Sequence, residues 1–489
     1  MAEKVDSSWG QAQADAPVDR RAWWALAAVL TGAFMILLDG TIINVAVPVI
    51  KTDLSASYAS IEWVISGYVL AYGLLLIPAG RVGDRYGHRA MLLAGMTGFV
   101  VLSVLCATAQ NPTQLVVYRV LQGAMAGILN PQVLAVIQLT FPDRQRGQAY
   151  GIYGAVSGIG VALGPVLGGA LIQANIGGTS WRPIFLINVP VGIVAIAMTL
   201  RLVKETRGRA GSLDPLGIFL VSAAVLLLSI PLIQGQSAGW PAWTWISFGG
   251  AAVALAAFIG WELRTGRRGG SPLIDMNLFR NRAFSAGVGI GLAYFAGFIS
   301  LFFLLSLLLQ SGLHKTALIA GLIILPFALG TFLGAAFSDG FAKRLGRGVL
   351  ALGCSMVAVG IAATVLVLRA RGAGLLGWEL IVPLGFGGIG SGLVIAPNVS
   401  LVLEHVPWQD AGAASGILNT AQRVGQALGV AIVGAALASE LARPAAGSQA
   451  AHYSHATQIA SLYSLGLVVV ALVLVFVIPK RSASSTGTW

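Results

Sequence analysis

The sequence predicts an all-α polytopic membrane protein, and three observations carry the prediction. Of its 489 residues, 56% are hydrophobic and only 10% are charged, a composition far from that of a soluble domain. Apolar runs of spanning length recur about fourteen times along the chain. The basic residues gather in the short segments between those runs, which is how a membrane protein encodes its topology. The net charge of +12 is therefore a topogenic signal and not a nucleic-acid footprint.

Residues 1–20 are polar, carry mixed charge and lack both an apolar core and a small-residue cleavage site. They read as a disordered cytoplasmic tail and not as a signal peptide. The first run, 22–50, then serves as the uncleaved targeting signal. Runs at 61–80, 90–109, 113–138, 147–172 and 183–201 complete a first set of six. Two more, 213–233 and 242–262, are bracketed by the longest inner connections, 202–212 and 263–282. A second six lies at 283–309, 318–338, 348–368, 377–402, 412–439 and 458–479. The expected organisation is an N-terminal six-helix bundle over 21–201, two additional helices within 202–282, a C-terminal six-helix bundle over 283–480 and a short cytoplasmic tail, 481–489. An even number of crossings puts both termini on one side. Of the thirty Lys and Arg, 22 fall in segments that this arrangement assigns to the cytoplasm, 6 fall outside and 2 within helices. The chain also echoes itself. Gly80-Arg81-Val82-Gly83-Asp84-Arg85-Tyr86-Gly87-His88-Arg89, after the second helix, has a shorter match in Gly340-Phe341-Ala342-Lys343-Arg344-Leu345-Gly346-Arg347, which lacks a counterpart of Asp84.

Polar groups inside the runs mark the candidate functional residues. Asp39 lies well inside the first run, and its helical neighbours Met35, Ile36, Ile42, Ile43 and Ala46 are apolar. An acid at that depth costs about 2.5–3.5 kcal/mol on insertion scales, which makes a functional role the default reading and a structural pairing with a buried Arg the alternative. It is the only acid the sequence places deep in a membrane helix, so coupling schemes that need two buried carboxylates find no support. On the fourth helix Arg119, Gln122 and Asn130 fall close to one face, which should look into a cavity because lipid would not tolerate the arginine. At 1.5 Å per residue, Asp39 and Arg119 differ in depth by about 6 Å, within reach of an arginine side chain.

Tyr294, Phe298 and Phe302 form an i, i+4, i+8 stripe on the ninth helix, a candidate wall for flat or cationic substrates, with plain packing as the alternative. Arg423, among Asn419, Gln422 and Gln426 on the thirteenth helix, reads equally as a structural or a gating residue. His452 and His455 fall in an outer loop and read as a solvated pair, not a metal site. Cys106 and Cys354 read as small packing residues. No metal or cofactor is implied.

Several of these stretches resemble motifs of the major facilitator superfamily. Gly80 to Arg89, with Gly83, Asp84, Arg85 and Gly87, resembles its loop motif between helices two and three, where charged hydrogen bonds latch two bundles in one state. Tyr118-Arg119-Val120-Leu121-Gln122-Gly123 resembles its fourth-helix motif. Gly151, Gly160, Gly164, Pro165, Gly168 and Gly169 match the antiporter pattern G-x8-G-x3-G-P-x2-G-G, in which the glycines clear a groove for another helix and the proline bends their own. The surroundings of Asp39, Trp181 to Pro190, Pro272 to Phe284 and Ala411 to Gly416 are similar to the fourteen-helix drug:proton antiporters (the DHA2 family).

The resemblance implies the major facilitator fold, two six-helix bundles plus two extra central helices. It implies proton-coupled export of hydrophobic or cationic small molecules across the plasma membrane by alternating access, with Asp39 and Arg119 coupling the proton. Gln122, Asn130, Tyr294, Phe298 and Phe302 are the expected cavity residues. The proton gradient is the expected energy source, and the partners are substrate, protons and lipid, with the chain acting as a monomer. A nutrient importer is disfavoured by the fifth-helix pattern. A lipid-acting membrane enzyme would need a nucleophile–base pair or a ligand cluster at one interface, and the sequence shows none.

Overall fold

The structure is a computed structural model that describes residues 20–478 apart from 208–213, 236–238, 269, 271, 275, 405, 408–409 and 444–447. Among the described residues, fourteen helices are long and apolar enough to cross a membrane. They are α1 (Arg20–Asp53), α2 (Tyr58–Tyr86), α3 (His88–Ala107), α4 (Pro112–Thr140), α5 (Asp143–Ala174), α6 (Pro183–Leu202) and α7 (Pro215–Gln234). There follow α8 (Ala242–Arg267), α9 (Arg282–Leu307), α10 (Ala317–Leu345), α11 (Gly348–Arg371), α12 (Ile381–Glu404), α13 (Ala411–Leu441) and α14 (Gln449–Val475). The end of the molecule at which α1 begins is called the tail end below, and the other the far end.

Local chemistry explains where helix ends depart from the apolar runs. The stretch from Gly80 to Arg89 reads as a loop in sequence, but α2 continues through it to Tyr86, because the arginines suit a helix and only Gly87, at φ 112°, breaks it. The echo behaves alike: α10 runs on to Leu345 and stops at Gly346, φ 54°. The last helix starts at Gln449, well ahead of residue 458, because Ser448 caps it by accepting from Ala451 N at 3.3 Å. His452 and His455 are therefore helical residues and not part of an outer loop. Helix α6 is interrupted at Ile187, where Pro190 has no N–H to give the Leu186 carbonyl.

The helix contacts repeat. In the first six, α1 packs on α4, α5 and α6, α4 packs on α2 and α3, and α3 packs on α6. The last six reproduce the set: α9 on α12, α13 and α14, α12 on α10 and α11, and α11 on α14. Between the two bundles α5 meets α10 and α12, while α13 meets α2 and α4, the same relation with the halves exchanged. Helices α7 and α8 pack chiefly on each other, and α7 also reaches α2 and α13. One apolar core, around Met96, Phe99 and Leu129, fills the first bundle and continues across the seam to Val402, Ala414 and Leu418, and a second, around Ile290, Leu305 and Val357, lies within the last six helices. Lipid is as apolar as these side chains, so close packing and interhelical hydrogen bonds hold the bundles together, and small residues decide how near two helices come.

Candidate functional site

Asp39 is fully buried, and the structure pairs it directly with Arg119: Nη1 donates to Oδ2 at 2.6 Å. The other carboxylate oxygen accepts from Asn188 Nδ2 at 2.9 Å and Gln122 Nε2 at 3.3 Å. Arg119 also donates to the Val64 carbonyl (3.2 Å) and to Gln122 Oε1 (2.8 Å), and its guanidinium lies 4.1 Å from the centre of the Tyr68 ring. Ser103 Oγ accepts from Gln122 at 2.8 Å and Asn188 at 3.3 Å. Helices α1, α2, α3, α4 and α6 thus meet at one polar knot. Asp39 has apolar neighbours on its own helix, and its polar partners come from α4 and α6. Gln122, expected in a cavity wall, belongs to the knot.

Sequence reasoning missed Asn188, Ser103 and Tyr68. The break before Pro190, which places Asn188 opposite Asp39, was the available signal. Two further acids, Asp214 and Glu262, are buried near the tail end of α7 and α8. Asp214 caps α7 through Gly217 N (2.9 Å) and accepts from Trp261 Nε1 (2.7 Å), and Glu262 accepts from Ile274 N (2.9 Å).

The far end of α1 is clasped separately. Asp53 accepts from Trp181 Nε1 at 2.8 Å and from Arg182 Nη1 at 2.9 Å. The indole N–H, followed by the guanidinium, holds this carboxyl below its ordinary value against the opposing pull of partial burial.

The glycine pattern of α5 has two faces. Gly160, Gly164 and Gly168 press on α1 beside Asp39. A Cβ at 164 would fall on the Thr41 hydroxyl and 2.9 Å from Ile42 N, and one at 160 would lie 3.1 Å from Leu37 Cβ. Gly151 and Gly169 face α10 of the other bundle instead, at 3.0 Å from the Ala335 carbonyl and 3.6 Å from Leu318 Cβ for an added Cβ, and Pro165 packs near Gly321.

At the tail end the bundles are joined. Gly412 N donates to Asp84 Oδ1 at 3.1 Å, Arg81 lies 3.8 Å from Asp410, and Gly80 packs on the Gly412 backbone. Across the same seam Asn130 Nδ2 donates to Asn419 Oδ1 (2.7 Å) and Gln138 Nε2 to the Leu403 carbonyl (2.8 Å). Asn130 therefore bridges the bundles instead of lining a cavity. The arginines divide differently from the expectation. Arg81 reaches across, Arg85 stands exposed with its guanidinium over the Tyr86 ring, and Arg89 binds within the first bundle, to the Leu200 carbonyl (2.6 Å) and, through its own N–H, to Glu205 (3.0 Å). Gly83 packs against Gln132 and His88, and Gly87 against Glu205. The echo does possess a partner for Asp84. Asp339, one residue before it, crowds Gly147 in the first turns of α5 as Asp84 crowds Gly412 in the first turn of α13.

The aromatic stripe is packed inside the second bundle. Tyr294 is buried and donates to Ser391 Oγ at 2.7 Å, and Phe298 and Phe302 lie against Phe327 at ring distances of 5.1 and 4.9 Å. In this state the stripe is core and not cavity wall.

Three comparisons bear on this geometry. A family model described as the Major Facilitator Superfamily matches residues 29–430. The chain is similar to the probable actinorhodin transporter of Streptomyces coelicolor, with 37% identity over 427 residues, 87% of this chain and 74% of that one. It is also similar to the tetracenomycin C resistance and export protein of Streptomyces glaucescens (33% over 425 residues, 86% and 77%) and to the puromycin resistance protein pur8 of Streptomyces alboniger (31% over 487 residues, 96% and 94%). Among solved structures, the proton:xylose symporter XylE superposes with a TM-score of 0.62 at 16% identity, covering 94% of this chain and 96% of that one, a likeness of fold alone.

Proposed function

Because this chain belongs to the Major Facilitator Superfamily and is a transporter rather than an enzyme, we propose that it exports antibiotic-like small molecules in exchange for protons, with Asp39 as the proton carrier. Relatives named as a probable actinorhodin transporter, a tetracenomycin C resistance and export protein and a puromycin resistance protein support the substrate class. The observation that carries the coupling is the chemistry of the knot. All three partners of Asp39 (Arg119, Asn188 and Gln122) present donors to it, and an ionised carboxylate is the one form that only accepts. A protonated Asp39 would set an O–H against those donors, so the site must rearrange when the proton binds. Asn188 Oδ1, buried without a partner, is the acceptor that a turned amide would offer.

The rearrangement acts on the turn of α1 against which Gly160, Gly164 and Gly168 are packed, and the opposite face of α5 bears on α10 in the other bundle. Proton binding thereby reaches the inter-bundle seam through two tight contacts. The asymmetry of basic residues supports a cytoplasmic tail end in the cell membrane. The structure then corresponds to the state whose cytoplasmic gate is shut. One charge crossing 100 mV supplies about 2.3 kcal/mol to the cycle. We take the transporter to act as a monomer.

The test is transport by the purified protein in proteoliposomes with an imposed pH gradient, using puromycin and tetracenomycin C as probes. Export coupled to protons requires the probe to accumulate on the acidic side and to reverse when the gradient is reversed. Accumulation on the alkaline side would make the protein a symporter and overturn the reading.

A further inference from the structure

One contact inside the joined tail end is short of a proton. His88, the first residue of α3, is fully buried, and so is Asp84, four residues before it near the end of α2. Gln132 on α4 fixes where the imidazole carries its hydrogen. Its Nε2 donates to the Ala79 and Ile128 carbonyls at 2.8 and 3.0 Å, and carbonyls only accept, so Oε1 is the end turned to the ring. His88 Nδ1 therefore donates to Gln132 Oε1 at 2.7 Å. A neutral ring with its hydrogen on Nδ1 has a bare lone pair on Nε2. That atom lies 3.4 Å from Asp84 Oδ1, which already accepts from Gly412 N. Among the described residues, neither His88 Nε2 nor Asp84 Oδ2 has a hydrogen-bond partner. Two buried acceptors in contact repel each other. One proton between them makes the contact attractive, whether the ring or the carboxyl holds it.

The second half of the chain offers a comparison. Asp339, which occupies the place of Asp84 at the joint between α10 and α5, forms an ion pair with Lys343 four residues on. His88 holds the same i+4 place after Asp84. One joint therefore carries an ammonium, charged throughout the physiological range, and the other an imidazole, the side chain whose charge changes within it. The remaining charged groups on the elements around His88 have partners of their own. Glu205, from the segment after α6, accepts from Arg89 N and Ala90 N at 3.0 and 3.2 Å. Arg81 of α2 and Asp410, just before α13, stand 3.8 Å apart across the seam. Arg85 lies over the Tyr86 ring, and the Arg89 guanidinium donates to the Leu200 carbonyl. From α4 the facing group is the neutral Gln132.

We propose that the shut cytoplasmic gate holds a proton at the His88–Asp84 contact, separate from the one carried by Asp39, and that opening the gate releases it to the cytoplasm. The contact is sealed when the gate is shut, so its proton enters and leaves while the gate is open, from the cytoplasmic side alone. It adds nothing to the net exchange of protons across the membrane. It sets the balance between the two states instead: the shut form binds one proton more than the open form at this place, so acid in the cytoplasm favours the shut form. Where export brings protons inward, this acts as a brake, slowing the exporter as the cytoplasm acidifies. That consequence rests on the export reading, and the proton site itself does not.

Electron–electron resonance distances between labels at the tail ends of α4 and α12, on the full-length protein in phosphatidylcholine nanodiscs, test this. They are read from about pH 8 to about pH 5, the range over which an imidazole changes charge. The background is Asp39→Asn combined with Arg119→Gln, in which the knot no longer titrates. There the short-distance population should grow as the pH falls, with the shut-to-open ratio rising by up to about tenfold per pH unit, the limit for one proton. His88→Arg in that background supplies a fixed charge and should keep the gate shut at every pH. His88→Gln should also remove the pH dependence, and either variant carries the test if the other fails to insert. The same pH response with and without His88, or a background whose distances ignore pH or lengthen in acid, would overturn the proposal. The distances are read at equilibrium, without substrate or gradient. A gate that responds through His88 in a protein without proton-driven transport would keep this site and sink the export reading, and a silent gate in a proton-driven exporter would do the reverse.

Discussion

Replacing Asp39 by Asn tests the coupling site most sharply, because every group facing Asp39 is a donor. Whichever way the new amide turns, its NH2 meets either Arg119 Nη1, 2.6 Å from the present oxygen, or the Asn188 and Gln122 amides at 2.9 and 3.3 Å. The variant loses a charge-assisted hydrogen bond and leaves a buried guanidinium without its counter-ion. Removing one partner of such a pair costs about 3–5 kcal/mol, and the arginine's remaining contacts to Val64, Gln122 and Tyr68 place the expectation at the lower end. Asp39→Asn combined with Arg119→Gln removes the stranded charge and should recover most of that loss. Denaturant unfolding of the purified proteins measures the stability differences. Proteoliposome transport measures the function: both variants should lose pH-driven accumulation, and the double variant should still exchange substrate down its gradient. Uphill, pH-driven export by the double variant would refute Asp39 as the carrier. A single variant as stable as the parent would refute the energetic reading of the pair.

Other consequences can be measured in the same preparations. Gly164→Leu should abolish transport, since even a Cβ there falls on Thr41, and an unchanged turnover would show that α5 does not need its close approach to α1. Asp84→Asn should weaken the contact with Gly412 N. A loss of about 1.4 kcal/mol would shift the gate roughly tenfold toward its open form. Electron–electron resonance distances between the tail ends of α4 and α12 should lengthen accordingly, and distances equal to the parent's would dismiss the latch. The Asp53 clasp should add thermal stability at neutral pH. Its folded value is depressed, so that contribution is present above the ordinary 3.8 and fades as pH falls through the lower folded value. The stability gap between the parent and Asp53→Asn should therefore close in acid, and a gap independent of pH would contradict the assignment.

What could be read from sequence divides along a physical line. The fourteen crossings were legible because each must bury its own backbone polar groups in its own hydrogen bonds, which leaves an apolar run of fixed minimum length. Asp39 and Arg119 were legible because a charge in such a run has no neutral explanation. Their depths along two helices sufficed to suggest contact, but not to name Asn188, which reaches the site only through the break before Pro190. The helical character of Arg81 to Tyr86 and of His452 was hidden because polar residues extend a helix beyond the membrane as readily as they form a loop. The aromatic stripe was misleading for a related reason. Periodicity shows which residues share a face, while what that face touches depends on a helix elsewhere in the chain, here Phe327 on α10.

Gly412 meets Asp84 with its main-chain N–H, so half of this gate contact has no side-chain identity. Substitution at 412 is limited by room, since a Cβ would lie 2.5 Å from both the carboxylate and the Gly80 carbonyl, and proline alone would delete the donor itself. A search for charges that vary together across the seam would find no partner for Asp84 at this position. The joint is constrained on that side by room and not by charge, and halves exchanged between related exporters should still close on each other wherever that position carries no side chain.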